Sequence, residues 1–402
     1  MKPFGALLSF EEAMKVVEAN IKPLNRTETI DIDDAVGRVL AADLVSALSI
    51  PSFDRAAMDG YAVKAKDTFG SGQLKPKMLE LVGELNAGGT PTKKVSTGQC
   101  IQISTGAMMP SGADSVVMVE DTEAADGKVK IFKAVIPGGN VGKKGEDIKE
   151  GETVLKKGAL LDAGKVGVLA SQGIQKVKVY QQPKVAVLPS GEEVVEIGKK
   201  LRPGQLYDIN SHTVASVVKE NGGLPVRLGV VGDTREDIRK KVSEALKNDL
   251  VVISGGSSVG ERDLLVGVLE GWGEVLFHGI QVRPGKPTLF AIVEGKPLFG
   301  MPGYPTSCLI NTYLFLLPVV RKMAHLPPKR GQIVEARLGQ RIPGSVGRKQ
   351  FLTVRFNEKG EVMQAFKESG AITSVANADG YIAIEQNVDL LEKGTTVTVT
   401  LF

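Results

Sequence analysis

The sequence predicts a multidomain protein that combines an α/β domain with separate β domains, and three observations support this. At 402 residues the chain is too long for one hydrophobic core, so two to four domains are expected. Between Gln182 and Leu326, apolar strands alternate with amphipathic helices, which is typical of a doubly wound parallel sheet. Short alternating runs in 51–147 and after the linker at 325–331 favour β domains on either side.

The first element is a helix, "SFEEAMKVVEANI", in which Ser9 and Glu12 have capping-box spacing. Residues 51–147 hold short β-type runs separated by Gly, Pro and Asp, which predicts a small, mostly-β domain. Residues 151–174 return to a helix and a strand. After the linker, five alternating runs predict a small β-barrel: "IVEARL", "QFLTVRF", "VMQAF", "YIAIEQ" and "TVTVTLF".

The predicted α/β domain has strands "KVAVLP", "PVRLGVV" and "LVVISGG". Between them lie the helices "NSHTVASVVKENGG" and "TREDIRKKVSEALKN", the second of which Thr234 can cap. In such sheets ligands bind beyond the carboxyl ends of the strands. The loop from Ser254 to Gly260 follows one of these ends and is therefore a candidate binding loop.

Composition disfavours several classes of function. The net charge is only +4, aromatic residues make up 5% and no basic block occurs, so a nucleic-acid surface is not expected. Cys100 and Cys308 form neither a disulfide framework nor a zinc site, which favours a reducing compartment. The longest apolar run, "YLFLLPVV", is too short to span a membrane. We therefore expect a cytoplasmic protein that binds neither nucleic acid nor membrane.

The stretch 251–263 reads "VVISGGSSVGERD" and has three interpretations besides a plain turn. Its G-x-x-x-x-G spacing fits a P-loop, but Glu261 and Arg262 stand where Lys and Ser/Thr are needed. Its G-x-S-x-G fits a nucleophile elbow, yet only His278 and His325 follow as triad candidates. Backbone N–H groups, small hydroxyls and a following helix start favour an anion cradle, formed by Gly255, Gly256, Ser257 and Ser258.

Further candidates follow along the chain. "QVRPGKP" is a Pro-Gly turn on which Arg283 and Lys286 can face one oxyanion, and the rigid loop "GMPGYPTSC" carries Pro302 and Ser307. Carboxylates at loops and strand ends can hold Mg²⁺ together with substrate phosphates: Asp59, Asp147, Glu192, Glu193, Asp233 and Asp263. The three histidines lack ligand spacing, which disfavours zinc. These residues predict a site for a phosphorylated or oxyanionic ligand and leave the substrate open.

Eight motifs, in order, resemble those of the MoeA family of molybdenum insertases, which is related to the E domain of gephyrin. They run from Pro51 to Ser307 and read "PSFDRAAMDGYAV", "ISTGAMMP", "KKGEDI", "PSGEEV", "GQLYDIN", "SGGSSVGERD", "VRPGKP" and "MPGYPTS". "GRKQF" at Arg348 matches another motif in the last domain. The resemblance covers nearly the whole chain.

The resemblance implies a homodimer of elongated, four-domain subunits. The α/β domain, similar to the MoaB/MogA molybdopterin-adenylating fold, would comprise 1–20 and 182–326. The elongated linking domain would comprise 21–50 and 148–181, the small mostly-β domain 51–147 and the β-barrel 327–402. The implied reaction uses adenylyl-molybdopterin and molybdate with Mg²⁺, and yields molybdenum cofactor and AMP. The implied partners include the molybdopterin-adenylating protein and molybdoenzyme apoproteins.

The matched motifs also imply roles for single residues. Two acids match positions at the nucleotide and metal end of the family's pocket, Asp233 and Asp263, and Glu193 matches another functional acid. The residues that match positions around the oxyanion are Ser258, Arg283, Lys286, Ser307 and Arg348. Three residues of the small β domain match positions that face the partner subunit's pocket: Asp59, Thr105 and Asp147.

The chain departs from the family pattern at two motifs. "PGYP" has Tyr304 where the family often has Asn, and "AAMDGY" replaces the commoner "SAMDGY". Three alternatives stay open: a non-catalytic molybdopterin-binding scaffold, a tungstate-preferring insertase, and adenylation of molybdopterin by the α/β domain itself. The acids Asp233 and Asp263 count against a scaffold, and consumption of ATP would identify adenylation.

Overall fold

The computed structural model describes residues 7–255, 264–329 and 331–402. The chain forms two compact units. The first consists of 1–29, 37–39 and 178–402, and the second of 30–36 and 40–177. The finer division into four domains stays a prediction.

The helices of the described residues are mostly short, and they are α1 (Phe10–Asn20), α2 (Ala65–Thr68), α3 (Ala163–Ser171), α4 (Asn210–Glu220), α5 (Arg235–Ala245), α6 (Leu264–Leu269), α7 (Pro305–Asn311), α8 (Leu317–Met323) and α9 (Thr373–Ala376). A π-helical turn, Thr312–Leu316, joins α7 to α8. Short 3-10 turns occur at Ile32–Asp34 and Val119–Asp121.

The strands of the first part of the chain are β1 (Thr27–Asp31), β2 (Leu44–Val45), β3 (Arg55–Ala56), β4 (Gly60–Val63), β5 (Lys77–Leu85), β6 (Gln99–Ile103), β7 (Ser115–Met118), β8 (Thr122–Ala125), β9 (Lys128–Ile131), β10 (Val141–Gly142), β11 (Thr153–Leu155) and β12 (Lys176–Tyr180). Those of the second part are β13 (Lys184–Pro189), β14 (Val194–Val195), β15 (Leu206–Tyr207), β16 (Leu224–Arg227), β17 (Leu250–Ser254), β18 (Gly273–His278), β19 (Val282–Arg283), β20 (Leu289–Val293), β21 (Lys296–Met301), β22 (Ile333–Arg337), β23 (Ile342–Pro343), β24 (Lys349–Phe356), β25 (Val362–Gln364), β26 (Gly380–Ile384), β27 (Leu390–Leu391) and β28 (Thr396–Leu401).

The predicted doubly wound sheet is confirmed. Its strand order is β16-β13-β17-β21-β20-β18, in which the first four strands run parallel and β20 and β18 continue with antiparallel pairings. Side chains alternate across the sheet: Val185 and Val187 pack with α1, α4, α7 and α8, whereas Ala186 and Leu188 pack with α5 and α6. Both faces are thus covered, and the apolar strands are buried as a parallel sheet requires.

The helix ends follow from local sequence. Ser9 Oγ accepts the Glu12 N–H at 3.2 Å while Glu12 Oε2 accepts the Ser9 N–H at 2.8 Å, which is the predicted capping box of α1. Thr234 Oγ1 caps α5 by accepting the Asp237 N–H at 3.1 Å. No helix in the described ranges is long and apolar enough to cross a membrane.

The β parts also form as predicted. In the second unit a six-stranded sheet has the order β7-β4-β6-β5-β9-β8, with an apolar cluster on each side. Near the C-terminus, β19-β24-β26-β28-β22 form a sheet to which β25 adds beside β24. Leu338, just after β22, bridges Val362 of β25, so the sheet curls round and closes into the predicted barrel.

Candidate functional site

A cavity of about 1200 Å³ lies in the first unit at the carboxyl ends of β13, β17 and β21. Each strand contributes the residues that follow it, beginning with Ser190, Gly255 and Pro302. This is where a doubly wound sheet binds its ligands. Eight of the predicted site residues line the cavity: Glu193, Asp233, Gly255, Arg283, Lys286, Pro302, Ser307 and Arg348.

The floor of the cavity requires a glycine at position 255. The Gly255 N–H donates to the Met301 carbonyl at 3.0 Å, and the neighbouring Ser190 N–H donates to the Ser254 carbonyl at 2.8 Å. Gly255 has φ +91°, and a Cβ there would stand 2.5 Å from the Ser190 carbonyl oxygen. The backbone can therefore approach this closely only because the side chain is missing. Four predicted site residues lie outside the described residues. They are Gly256, Ser257 and Ser258 of the predicted anion cradle, and Asp263, one of the predicted acids.

One wall is cationic and comes from two distant segments. β19 runs parallel to β24, so Arg283 stands opposite Gln350, and the Lys349 N–H donates to the Gln281 carbonyl at 2.9 Å. This pairing brings Arg348 to the same cavity as Arg283 and Lys286. Three cationic side chains around one space favour an anionic ligand.

The charge of the adjacent Lys349 is already compensated. Its Nζ lies 2.7 Å from Glu11 Oε1 and 2.8 Å from Glu385 Oε1. Burial acts to lower the pKa of Lys349, but the hydrogen bonds to the two carboxylates outweigh it and raise that pKa. Lys349 therefore stabilises the fold beside the cavity, and Arg348 is the residue of this pair that lines it.

The turn that carries Arg283 and Lys286 is held from below by a residue that the sequence alone did not indicate. Asn311 is fully buried, and its Nδ2 donates to the Gly285 carbonyl at 3.0 Å and to Thr288 Oγ1 at 2.5 Å. Gly285 has φ +100°, and a Cβ there would lie 2.1 Å from Asn311 Nδ2. The glycine of "RPGKP" indicates a tight turn at this position. Asn311, which holds that turn, is 26 residues further along the chain and cannot be identified from the local sequence.

Two acidic residues add negative charge to the lining of the same cavity. Glu193 and Asp233 both line the cavity, and Asp233 Oδ2 accepts the Glu192 N–H at 3.0 Å. Within residues 7–255, 264–329 and 331–402, no three His, Cys, Asp or Glu side chains are grouped so as to hold a metal ion. Two carboxylates still suit Mg²⁺, which binds through one or two of them and completes its shell with water and substrate phosphate oxygens.

The loop after β21 forms a further wall. Asn210 Nδ2 donates to the Gly303 carbonyl at 2.8 Å, which fixes the loop against the start of α4. The Thr306 N–H donates to the Ser369 carbonyl at 3.0 Å, and Thr306 Oγ1 donates to the Ala371 carbonyl at 2.8 Å. Ser307 in the first turn of α7 is buried at the cavity wall. The predicted rigid loop is thus tied on both sides.

The three remaining candidates lie in the second unit. The Thr105 N–H donates to Asp59 Oδ1 at 2.7 Å, so these two residues are neighbours although 46 positions separate them. This backbone hydrogen bond, followed by one from the Thr105 side chain, lowers the pKa of Asp59. Asp147 is exposed on the loop that follows β10, and its N–H donates to the Ile50 carbonyl at 3.0 Å.

The surroundings of the cavity disfavour a serine hydrolase. No histidine is among the described residues that line it. His325 stacks on Tyr180 with ring centroids 3.6 Å apart, and its Nε2 lies 2.8 Å from the Leu24 carbonyl. A second cavity of about 610 Å³ is lined mainly by apolar side chains, among them Phe10, Tyr313 and Phe402, and contains none of the predicted site residues.

Comparison with known proteins gives three family-model matches along the chain. They are "MoeA N-terminal region (domain I and II)" at residues 8–173, "Probable molybdopterin binding domain" at 186–322, and "MoeA C-terminal region (domain IV)" at 335–402. The second match contains most of the residues that line the larger cavity.

Relatives match over almost their full length. The molybdopterin molybdenumtransferase of Haemophilus influenzae is 34% identical, covering 98% of this chain and 99% of its own. That of Bacillus subtilis is 31% identical, with 97% and 93% covered. A crystal structure of the molybdopterin biosynthesis MoeA protein of Pyrococcus horikoshii superposes with a TM-score of 0.86 at 41% identity, covering 98% and 99%. A second from the same organism gives 0.84 at 32%, with 99% and 100% covered.

Proposed function

This chain belongs to the MoeA family and is a transferase of molybdenum cofactor biosynthesis, and from that premise we propose its reaction. It inserts molybdate into adenylyl-molybdopterin and releases AMP in a step that depends on Mg²⁺. As the two Mo–S bonds form, one molybdate oxygen leaves as water with the two dithiol protons. Water cleaves the phosphoanhydride bond, which gives AMP and the phosphate of molybdopterin. The observation that carries the proposal is one cavity, at the carboxyl ends of the parallel strands, whose lining combines three cationic side chains with two carboxylates.

The cationic wall suits the oxyanion. Molybdate is a tetrahedral dianion, and Arg283, Lys286 and Arg348 supply positive charge around one space, with the Ser307 hydroxyl among the lining groups. An arginine offers a planar fork of donors and a lysine a compact charge, so together they can hold several oxygens of one anion. The buried Asn311 keeps the Arg283–Lys286 turn in place before the anion arrives.

The carboxylates suit a divalent cation at the other end. Glu193 and Asp233 would hold Mg²⁺ together with the substrate's pyrophosphate, and Asp263 is the third acid proposed for this set. When bound, Mg²⁺ neutralises charge on the phosphate oxygens and thereby favours cleavage of the phosphoanhydride bond. The Glu192 N–H donates to Asp233 Oδ2 and thereby fixes the orientation of this carboxylate.

The mechanism needs positioning and no protein nucleophile. The one thiol near the cavity wall is Cys308, beside Ser307, and burial raises the pKa of Cys308 to about 12. It stays protonated and cannot act as a thiolate. The cationic residues instead hold molybdate beside the dithiolene sulfurs, while Mg²⁺ bound by the carboxylates would hold the pyrophosphate. This juxtaposition is the catalytic contribution of the chain.

We further propose that the protein works as a cytoplasmic homodimer. Asp59 and Thr105 are joined by a hydrogen bond, and Asp147 is exposed. None of the three lines either of the two cavities described above, which supports a role at the partner subunit's site. Both cysteines are free and buried, in keeping with a reducing compartment. The molybdopterin-adenylating protein and molybdoenzyme apoproteins are the proposed partners before and after the reaction.

The test is AMP release from purified protein given adenylyl-molybdopterin, with and without molybdate and Mg²⁺, and with tungstate in parallel. Molybdate-dependent release that falls at least tenfold in Asp233→Asn and survives in Glu236→Gln would support the proposal. Glu236 is a matched control because it is exposed three residues away on α5 and does not line the cavity. Pterin binding without AMP release would indicate a scaffold, and ATP consumption would indicate an adenylating enzyme.

A further inference from the structure

Tyr304 is an exposed aromatic residue at the cavity. Its side chain lines the cavity and is 67% exposed. The ring lies beside Gly370 of the facing loop, where an added Cβ would stand 3.7 Å from Cδ1 and 4.0 Å from Cε1 without a clash. The missing side chain at Gly370 therefore leaves the ring uncovered on this side as well, and its faces are open to a ligand.

The backbone beneath the ring is rigid. The Cys308 N–H donates to the Tyr304 carbonyl at 2.9 Å, and Pro305 follows as the first residue of α7. The Thr306 N–H and Oγ1 are bonded to Ser369 and Ala371, on either side of Gly370. A ring mounted on such a fixed loop loses little conformational freedom when a ligand packs on it.

The charged residues do not account for the aromatic part of the substrate, and two tyrosines line the cavity. The Tyr207 hydroxyl donates to the Lys199 carbonyl at 2.8 Å, and Tyr304 is the more exposed of the two. Arg283, Lys286 and Arg348 account for oxyanions, and Glu193 and Asp233 account for a cation. The substrate of the proposed reaction also carries two flat heterocycles, adenine and the pterin. Heteroaromatic rings bind by stacking on exposed tyrosine faces.

We propose that Tyr304 is the stacking subsite for a heterocycle of the substrate. The inference rests on the proposed function, since adenine and pterin enter it as parts of adenylyl-molybdopterin. It also gives a role to the position at which this chain departs from the P-G-N-P pattern: an aromatic face for ring binding. Tyr304 is thereby a specificity-determining residue for the ring and takes no part in bond cleavage.

The experiment is titration calorimetry of three probes, AMP, 6-hydroxymethylpterin and ribose 5-phosphate, on the wild type, Tyr304→Leu and Tyr304→Phe. Tyr304→Leu should weaken the binding of one ring compound about tenfold, while Tyr304→Phe, which keeps the ring, stays within about twofold. Ribose 5-phosphate, which has no aromatic base to stack on Tyr304, should bind all three proteins alike. A loss confined to AMP assigns the subsite to adenine, and a loss confined to the pterin assigns it to that ring.

Several results would overturn the proposal: wild-type affinity of Tyr304→Leu for both ring compounds, an equal loss in Tyr304→Phe, or no binding of either ring compound to the wild type. Circular dichroism and thermal melting of each variant verify that the fold is intact. Molybdate-dependent AMP release by the wild type is measured separately. A protein that stacks the ring but releases no AMP contradicts the proposed reaction alone, and normal release with no effect of Tyr304→Leu on binding contradicts the subsite alone.

Discussion

Substituting Gly285 by alanine should lower the stability of the protein and displace the turn that carries Arg283 and Lys286. At φ +100° a residue with a Cβ is strained by about 1–2 kcal/mol. The new Cβ would also lie 2.1 Å from Asn311 Nδ2 and 2.6 Å from Asn311 Cγ, so the buried amide must move and its two hydrogen bonds break. Leaving those groups unsatisfied costs roughly 1–3 kcal/mol more. We expect Gly285→Ala to be destabilised by about 2–5 kcal/mol.

Gly295 provides the matched control, because it lies in the turn between β20 and β21 with φ +74° and no atom within 4 Å of a Cβ. Gly295→Ala should therefore lose only the backbone component, about 1–2 kcal/mol. Urea denaturation of both variants measures the difference, and molybdate affinity by calorimetry should fall at least tenfold in Gly285→Ala only. Equal stability of the two variants, or wild-type molybdate affinity in Gly285→Ala, would refute the role assigned to the Gly285–Asn311 contact.

Three more predictions concern charge and packing. Because hydrogen bonds from Thr105 lower the pKa of Asp59, its ionised form stabilises the fold. Asp59→Asn should thus melt below the wild type above about pH 4, and the gap should close as the pH falls through the lowered pKa; a gap that widens in acid would contradict this. Arg283→Lys should weaken molybdate binding about tenfold in calorimetry despite its unchanged charge, since the fork of donors is lost, whereas unchanged affinity would argue against direct contact. Leu265→Ala, at a buried position of α6, should cost about 2–5 kcal/mol in urea denaturation, and a loss below 1 kcal/mol would show that the α5–α6 face is not closely packed.

Local signals in the sequence predicted the elements well. The capping box at Ser9 and Glu12 and the cap at Thr234 form as expected, because both depend on residues three apart. The parallel strands were recognisable because they are buried on both faces and therefore almost wholly apolar. Their alternation with helices was enough to place a ligand site at their carboxyl ends.

The parts that escaped prediction depend on contacts between distant residues. Only the family resemblance grouped Arg348 with Arg283, because no local pattern pairs β19 with β24, the pairing that brings both residues to one cavity. Nothing in the local sequence distinguishes Asn311, because its role depends on the space that Gly285 leaves. The position of Tyr304 beside Gly370 likewise requires the loop before α9 to meet the start of α7, where the Thr306 N–H donates to the Ser369 carbonyl.

The most direct test of the proposed insertion is a single-turnover reaction in which AMP and molybdenum-containing pterin are quantified in the same sample. Enzyme in excess of adenylyl-molybdopterin would be mixed with molybdate and Mg²⁺, and the pterin identified by mass spectrometry. One AMP should be released for each molybdenum inserted, and both products should fall together in Gly285→Ala. AMP released without molybdenum in the pterin, or molybdenum inserted while the adenylyl group stays attached, would contradict the proposed reaction.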